Sequence, residues 1–146
     1  MSDTFKLKIV TANRNFYDDD IEMVIFKTTE GEIGVLKGHI PLTTGLTSGM
    51  AIIQKSDEKE KTAVLHGGFA EITSDQVTII TDAAEWPDEL DLVRAREAKI
   101  RAEQQLTEKD LLMEEMQMLK AKASLTRALV RIEVAEYHSD LDENNR

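Results

Sequence analysis

The chain contains no cysteine, which excludes a disulfide framework, a thiolate zinc site and a cysteine nucleophile. It is poor in positive charge: 18 Lys and Arg stand against 28 Asp and Glu, a formal net of −10. That balance argues against a nucleic-acid-binding face and against a polybasic membrane anchor, both of which need clustered cations. No apolar run approaches the ~18 residues that a membrane-spanning helix requires. The opening Met1-Ser2-Asp3-Thr4-Phe5 has no basic segment followed by an apolar one, so no secretory signal is expected. These absences point to an intracellular chain, soluble or at most peripheral to a membrane, with no direct lipid anchor. Catalytic constellations are missing too. His39, His66 and His138 lie far apart in sequence without metal-ligand spacing. There is no Gly-x-Ser-x-Gly elbow and no Gly-Lys-Ser/Thr phosphate loop. His39 and His66 each neighbour a glycine at an expected turn, where an ordinary loop or core histidine is favoured over a catalytic one. The chain is not expected to be an enzyme.

What is present divides in two. The 146 residues suffice for one domain of modal size, or a small domain with an appendage. Before residue 88 the pattern is short and near-alternating. Phe5, Leu7 and Ile9 alternate with Lys6 and Lys8, the period-2 signature of a half-buried strand. Similar runs follow at Ile21–Lys27, Glu32–Leu36, Met50–Gln54, Thr62–Leu65, Phe69–Ile72 and Gln76–Thr81. Turn signals separate them, among them Asp18-Asp19-Asp20, Glu30-Gly31, Lys37-Gly38 and Gly67-Gly68. All seven glycines fall in this half. Many short strands at this spacing predict an all-β sandwich or barrel over residues 1–88. The acidity is concentrated there, with a net of −8 over residues 1–90 and −2 over the rest.

From Leu90 to Tyr137 there is neither glycine nor proline, and good helix formers dominate. About 48 residues is long for one globular helix, so a break is expected at Thr107-Glu108-Lys109-Asp110, where Thr107 or Asp110 could cap a new helix. Residues 91–106 and 111–137 then form an antiparallel two-helix hairpin within a second domain, 89–146. Its apolar stripes are expected at Ala95, Ala98, Ala102 and Leu106 on the first helix. On the second they are expected at Leu112, Met116, Leu119 and Ala123, then Leu125, Ala128, Ile132 and Ala135. Met113, Met116 and Met118 read as packing residues able to adapt to more than one surface. The tail from His138 to Arg146 is polar and expected to fray.

Particular stretches carry a resemblance. Glu30-Gly31-Glu32-Ile33-Gly34-Val35-Leu36-Lys37-Gly38-His39-Ile40-Pro41-Leu42 resembles the glycine-rich signature of the epsilon subunits of bacterial F-type ATP synthases. Leu65-His66-Gly67-Gly68-Phe69-Ala70-Glu71, the following Val77-Thr78-Ile79-Ile80 and the opening Leu7-Lys8-Ile9-Val10-Thr11 are similar to the same family. Leu90-Asp91-Leu92-Val93-Arg94-Ala95 resembles its Ile/Leu-Asp-x-x-Arg-Ala element, and Arg127-Ala128-Leu129-Val130-Arg131 its paired arginines. The resemblance runs in order over nearly the whole chain. It departs at Lys37, where the family often has proline, and around 107–117, a variable region.

The resemblance implies a flattened N-terminal β-sandwich at the foot of a central stalk, followed by the C-terminal antiparallel helical hairpin. Implied partners are the gamma subunit, the membrane-embedded proton-carrying ring and the catalytic alpha/beta head, at the cytoplasmic face of the bacterial membrane. The implied role is a rotor subunit that couples proton flow to ATP synthesis, while its mobile hairpin inhibits ATP hydrolysis. No obligatory cofactor is implied; ATP is a possible regulatory ligand, bound through Leu90, Asp91, Arg94, Ala95, Arg127 and Arg131. Glu32 would face the ring, and His39 and Leu42 the gamma subunit. A stand-alone ATP-binding sensor and a generic adaptor remain alternatives.

The residues themselves add to this. Asp91 has the chemistry of a helix N-cap, so capping explains the Leu-Asp-x-x-Arg-Ala element without any ligand. Arg127 and Arg131 are four apart and share one helix face. With a turn centred near residue 109, position 127 falls opposite 91, bringing both within about two turns of Asp91 and Arg94. Three converging arginines in so acidic a chain suit a triphosphate.

Overall fold

The computed structural model describes residues 3–107 and 114–144. The chain forms two compact units that divide between Trp86 and Pro87. The first carries ten strands: β1 (Phe5–Val10), β2 (Asn15–Ile21), β3 (Met23–Thr28), β4 (Gly31–Leu36) and β5 (Leu42–Leu46), followed by β6 (Gly49–Gln54), β7 (Lys61–Leu65), β8 (Gly68–Ile72), β9 (Gln76–Ile80) and β10 (Ala84–Glu85).

Pairing groups them into two halves, β4-β3-β6-β7-β10 and β5-β8-β9-β1-β2. The halves join at one pair, Thr28 with Leu46. Every pairing is antiparallel except that of β1 with β9. Alternation supplies the core: Leu7 and Ile9 are wholly buried with Val24, Ile53, Ile72, Val77 and Ile79, while Lys6 faces outward. Each such side chain contributes about 1.5–3 kcal/mol by leaving water, so this layered core holds the sandwich together.

The opposite ends of the strand order, β2 and β10, meet. The Arg14 guanidinium donates to the Ala84 carbonyl at 3.0 Å. Trp86 stacks on Phe16 with centroids 4.2 Å apart and meets Tyr17 edge-on at 6.0 Å. The sheet is therefore nearly closed. At the β7–β8 turn only glycine fits position 68: φ is +108°, and a Cβ there would lie 2.0 Å from the Ile80 carbonyl oxygen.

Several expectations are corrected. Asp18-Asp19-Asp20 lies within β2 rather than in a turn. β2 ends the strand order, so its outward carboxylates stay in water and meet lysines: Lys6 Nζ is 3.1 Å from Asp18, and Lys55 Nζ 2.6 Å from Asp19. Such charges also blunt an edge against further pairing. β5 and β10 carry no strong alternating signal and went unforeseen. Glu32 stands in β4, opposite Lys27, within the strand expected at Glu32–Leu36.

The second unit begins with a 310 turn, Pro87–Glu89, followed by α1 (Leu92–Thr107) and α2 (Glu115–Asn144). α2 packs along α1 and reaches the 310 turn that precedes it, so the two helices are antiparallel. Thr107 closes α1 instead of capping the next helix, its Oγ1 donating to the carbonyls of Glu103 (3.0 Å) and Gln104 (3.1 Å). The expected break at Glu108–Asp110, with Leu112 and Met113, lies outside the described residues. α2 continues to Asn144, so the tail from His138 is helical where it is described.

The stripe on α2 also differs from expectation. Ala121, Ala128, Val130 and Val134 are buried, whereas Met116, Leu119 and Ala123 are exposed. On α1 the fully buried positions are Ala95 and Ala102. Heptad-spaced alanines on both helices let two backbones approach closely, and that selects the small residues over the larger methionines and leucines.

Candidate functional site

The second unit holds the arginines. Asp91 caps α1: its Oδ1 accepts from the Arg94 backbone N–H at 3.1 Å, and its carbonyl accepts from Ala95 N at 3.0 Å. The capping geometry read from the sequence is thus present. Arg127 lies on α2, where its guanidinium donates to Ser124 Oγ at 3.3 Å. Arg94 and Arg127 are exposed and Arg131 is half-buried, as is Leu90; Ala95 is buried in the helix pair.

Setting the buried alanines of the two helices against each other defines a register. Ala95 with Ala128, and Ala102 with Ala121, are symmetric about position 111.5. Arg94 then lies at the level of Leu129, midway between Arg127 and Arg131. Arg127 falls opposite Arg96 rather than opposite position 91, a shift from the sequence-based register. At about 100° per residue, Arg94 precedes Ala95 and Arg127 precedes Ala128 by the same rotation. In an antiparallel pair, equal rotations from the contact line lead to the same flank. Arg131, about 60° from Ala128 in that same sense, joins them. On that register the helices would carry Arg94, Arg127 and Arg131 on one flank within about a turn of each other, near Asp91, which caps α1. Planar guanidinium forks on one side of a helix pair suit phosphate oxygens.

The first unit carries a different surface. Phe69 and Ile80 face each other across β8 and β9 and are 65% and 60% exposed. Gly45 and Val10 extend that row to either side. At the β4–β5 connection Ile40 is 75% exposed, with Leu36 and Leu42 also in water. His39 is half-buried there, its Nδ1 donating to the Ile40 carbonyl at 2.6 Å. Glu32 is exposed at the other end of β4. Leu42 and His39 thus share an apolar tip, while Glu32 stands apart. Sequence reasoning missed Phe69, Ile80, Leu36 and Ile40; the period-2 alternation of β8, which puts Ala70 and Ile72 inside, places Phe69 outside and could have exposed it.

Charge is tuned chiefly at the edge strand. The hydrogen bond from Lys55, seconded by the Asp20 backbone N–H, lowers the Asp19 carboxyl below its usual value. The hydrogen bond to Asp18 raises Lys6, and that to Asp19 raises Lys55. Burial raises the Tyr17 hydroxyl. Among the described residues no cluster of His, Asp or Glu could hold a metal ion, and no helix is long and apolar enough to cross a membrane.

Residues 4–87 match the family described as ATP synthase, delta/epsilon chain, beta-sandwich domain. Residues 88–136 match its long alpha-helix domain. The chain is 43% identical to the ATP synthase epsilon chain of Caldanaerobacter subterraneus subsp. tengcongensis, over 97% of this chain and all of that protein. It is 48% identical to the sodium ion specific ATP synthase epsilon chain of Acetobacterium woodii, over 70% of this chain and 77% of that one. Its fold is similar to a chain in the cryo-EM structure of the Euglena gracilis mitochondrial ATP synthase, with a TM-score of 0.79 and 22% identity, covering 94% of this chain and 82% of that chain.

Proposed function

This chain belongs to the ATP synthase delta/epsilon family as an epsilon chain, and we propose that it works as a non-catalytic stalk subunit whose helical unit senses ATP. The observation that carries the reading is the match of both units, in order, to the two domains of one family. In this reading the sandwich is the fixed part. Its exposed apolar row at Phe69 and Ile80, with the tip around His39 and Leu42, supports docking on the gamma subunit, because such a patch marks a protein interface. Glu32, at the far end of β4, would face the polar loops of the proton-carrying ring. The site of action is the cytoplasmic face of the membrane, reached as a peripheral subunit.

The helical unit is the moving part. Extended toward the alpha/beta head, it inhibits ATP hydrolysis; folded as a pair, it releases the head. The folded pair gathers Arg94, Arg127 and Arg131 on one flank, and separating the helices disperses them. ATP therefore binds the folded state better, and a ligand shifts an equilibrium by its differential affinity. At ~100 times its dissociation constant, ATP favours the folded pair by roughly 2.7 kcal/mol, enough to move a balanced arm almost wholly. The donor set fits the ligand: three guanidinium groups for the phosphates, and the Leu90-Asp91 start of α1 beside them.

Isothermal calorimetry on the isolated chain, with co-purification on gamma and the alpha/beta head, tests the proposal. Binding of ATP together with capture by gamma is the expected result. A chain that binds ATP but assembles with neither partner would be a free-standing sensor instead, and a chain that assembles without binding ATP would keep the stalk role alone.

A further inference from the structure

The last stretch of the sandwich is held by more than its two-residue strand. β10 pairs with β7 through Ala84–Leu65 and Glu85–Val64, and so short a ladder contributes little by itself. Turns and side chains supply the rest. The Ala83 carbonyl accepts from His66 N at 3.0 Å and from Thr81 Oγ1 at 3.2 Å. The Glu85 carboxylate accepts from Nε2 of the buried His66 at 2.8 Å. Arg14, which donates to the Ala84 carbonyl, also sets its guanidinium over Phe16, 4.9 Å from the ring centroid. Trp86, the one tryptophan of the chain, stacks on Phe16 within 17° of parallel. Lys61 Nζ stands 5.8 Å from the Tyr17 ring and 6.0 Å from that of Trp86. This cluster fills the seam between β2 and β10, the ends of the strand order, which no backbone ladder joins among the described residues.

Past Trp86 the chain changes character. Pro87–Glu89 buries no residue, Leu90 N donates to the Pro87 carbonyl at 3.2 Å, and the next fixed point is the Asp91 cap of α1. Residues 83–86 are each tied to the sandwich, whereas the turn that follows is not packed into it. We propose that Trp86 is a positioning residue: its stack on Phe16 keeps the seam shut and stops rearrangement of the helical unit from passing into the sandwich. This rests on the reading of the helical unit as the moving part. A stacked aromatic pair stabilises beyond the area it buries, and groups tied to one another open as a unit. A pull at Pro87 must therefore undo the Trp86 stack, the Arg14 bond and the His66–Glu85 pair together before it reaches β7. Without the indole, the Arg14 bond and two ladder pairs hold β10, and the facing edges of β2 and β10 lose the ring between them.

Hydrogen exchange on the full chain tests it. The His66 amide, bonded to Ala83, reports on the seam, and the α1 amides report on the helices. Ala102→Glu and Ala128→Glu each set a carboxylate in the buried helix contact and should speed exchange in α1 about tenfold or more. In either variant the His66 amide should stay within about twofold of wild type, and acrylamide quenching of Trp86 fluorescence should not change. Trp86→Leu, which keeps apolar bulk and loses the stack, should speed exchange at His66 about tenfold while the β9 amides stay within about twofold. Trp86→Phe should recover most of that protection. Adding Ala102→Glu to Trp86→Leu should speed His66 about fivefold more than the two single effects combined, because the helices then reach the seam. Faster exchange at His66 or stronger quenching in the helix variants with Trp86 in place overturns the inference. So does full protection at His66 in Trp86→Leu, or additive behaviour in the double variant. If neither glutamate variant loosens α1, the moving helical unit itself falls, and this inference with it.

Discussion

Removing the Asp91 side chain separates two roles that share one residue. Its carboxylate accepts from Arg94 N at 3.1 Å at the start of α1, and loss of such a cap costs about 1 kcal/mol. That figure corresponds to a roughly fivefold rise in opening of the first turn. Asn caps as well as Asp, so Asp91→Asn keeps the cap and removes the charge. Hydrogen exchange at Arg94, Ala95 and Arg96 reads the cap directly, since first-turn amides report local opening. Asp91→Ala should speed exchange there about fivefold, with Asp91→Asn within about twofold of wild type. Calorimetry then reads the ligand. If Asp91 touches the nucleotide, Asp91→Asn weakens ATP binding with the cap intact. If it only caps, Asp91→Asn binds ATP at least as well, because a negative charge has left the arginine flank. Exchange unchanged in Asp91→Ala would refute the capping assignment, and equal acceleration in both variants would show that helix-dipole charge, not the hydrogen bond, governs the turn.

Other expectations follow from the same geometry. Gly68→Ala places a Cβ 2.0 Å from the Ile80 carbonyl at a φ of +108°; with the left-handed cost alone ~1–2 kcal/mol, the thermal midpoint of the sandwich should drop sharply, and an unchanged midpoint contradicts the turn geometry. Asp19 titrates below its usual value because of Lys55, so its contribution is present above the unfolded-state pKa and is lost as pH falls through the lower folded one. Lys55→Gln should raise the Asp19 carboxyl midpoint toward, but not fully to, its ordinary value, since the Asp20 N–H still donates to it; no change by NMR titration would discount the pair. Arg127→Ala and Arg131→Ala should each weaken ATP binding about tenfold by calorimetry, with the helices still formed.

Much of this fold was legible in sequence because its signals are local. The alternation Phe5-Lys6-Leu7-Lys8-Ile9 defines β1 without tertiary help, and Asp91 announced the start of α1. Where reading failed, the deciding interaction was distant. Asp18-Asp19-Asp20 looks like a turn until β2 is known to be an edge strand facing Lys6 and Lys55. Met116 and Leu119 outrank alanine on hydropathy, yet the close helix contact selected Ala121 and Ala128. On the pairing of the buried alanines, that shift in phase sets position 127 opposite Arg96 rather than position 91, a five-residue move in register. The register proposed for the arginines rests on the buried alanines, which hydropathy alone does not single out. Phe69 and Ile80 were readable as strand residues, whereas their shared exposed row depends on the β8–β9 register.

The central claim, a stalk subunit with an ATP-governed helical brake, is tested most directly by ATP hydrolysis in a complex of gamma and the alpha/beta head reconstituted with this chain. The full chain should inhibit hydrolysis at low ATP and release it as ATP rises. A chain ending at Pro87, which retains the whole sandwich, should still assemble and leave hydrolysis uninhibited at every ATP concentration. Inhibition by the truncated chain as strong as by the full one, or inhibition that ignores ATP, would contradict the account.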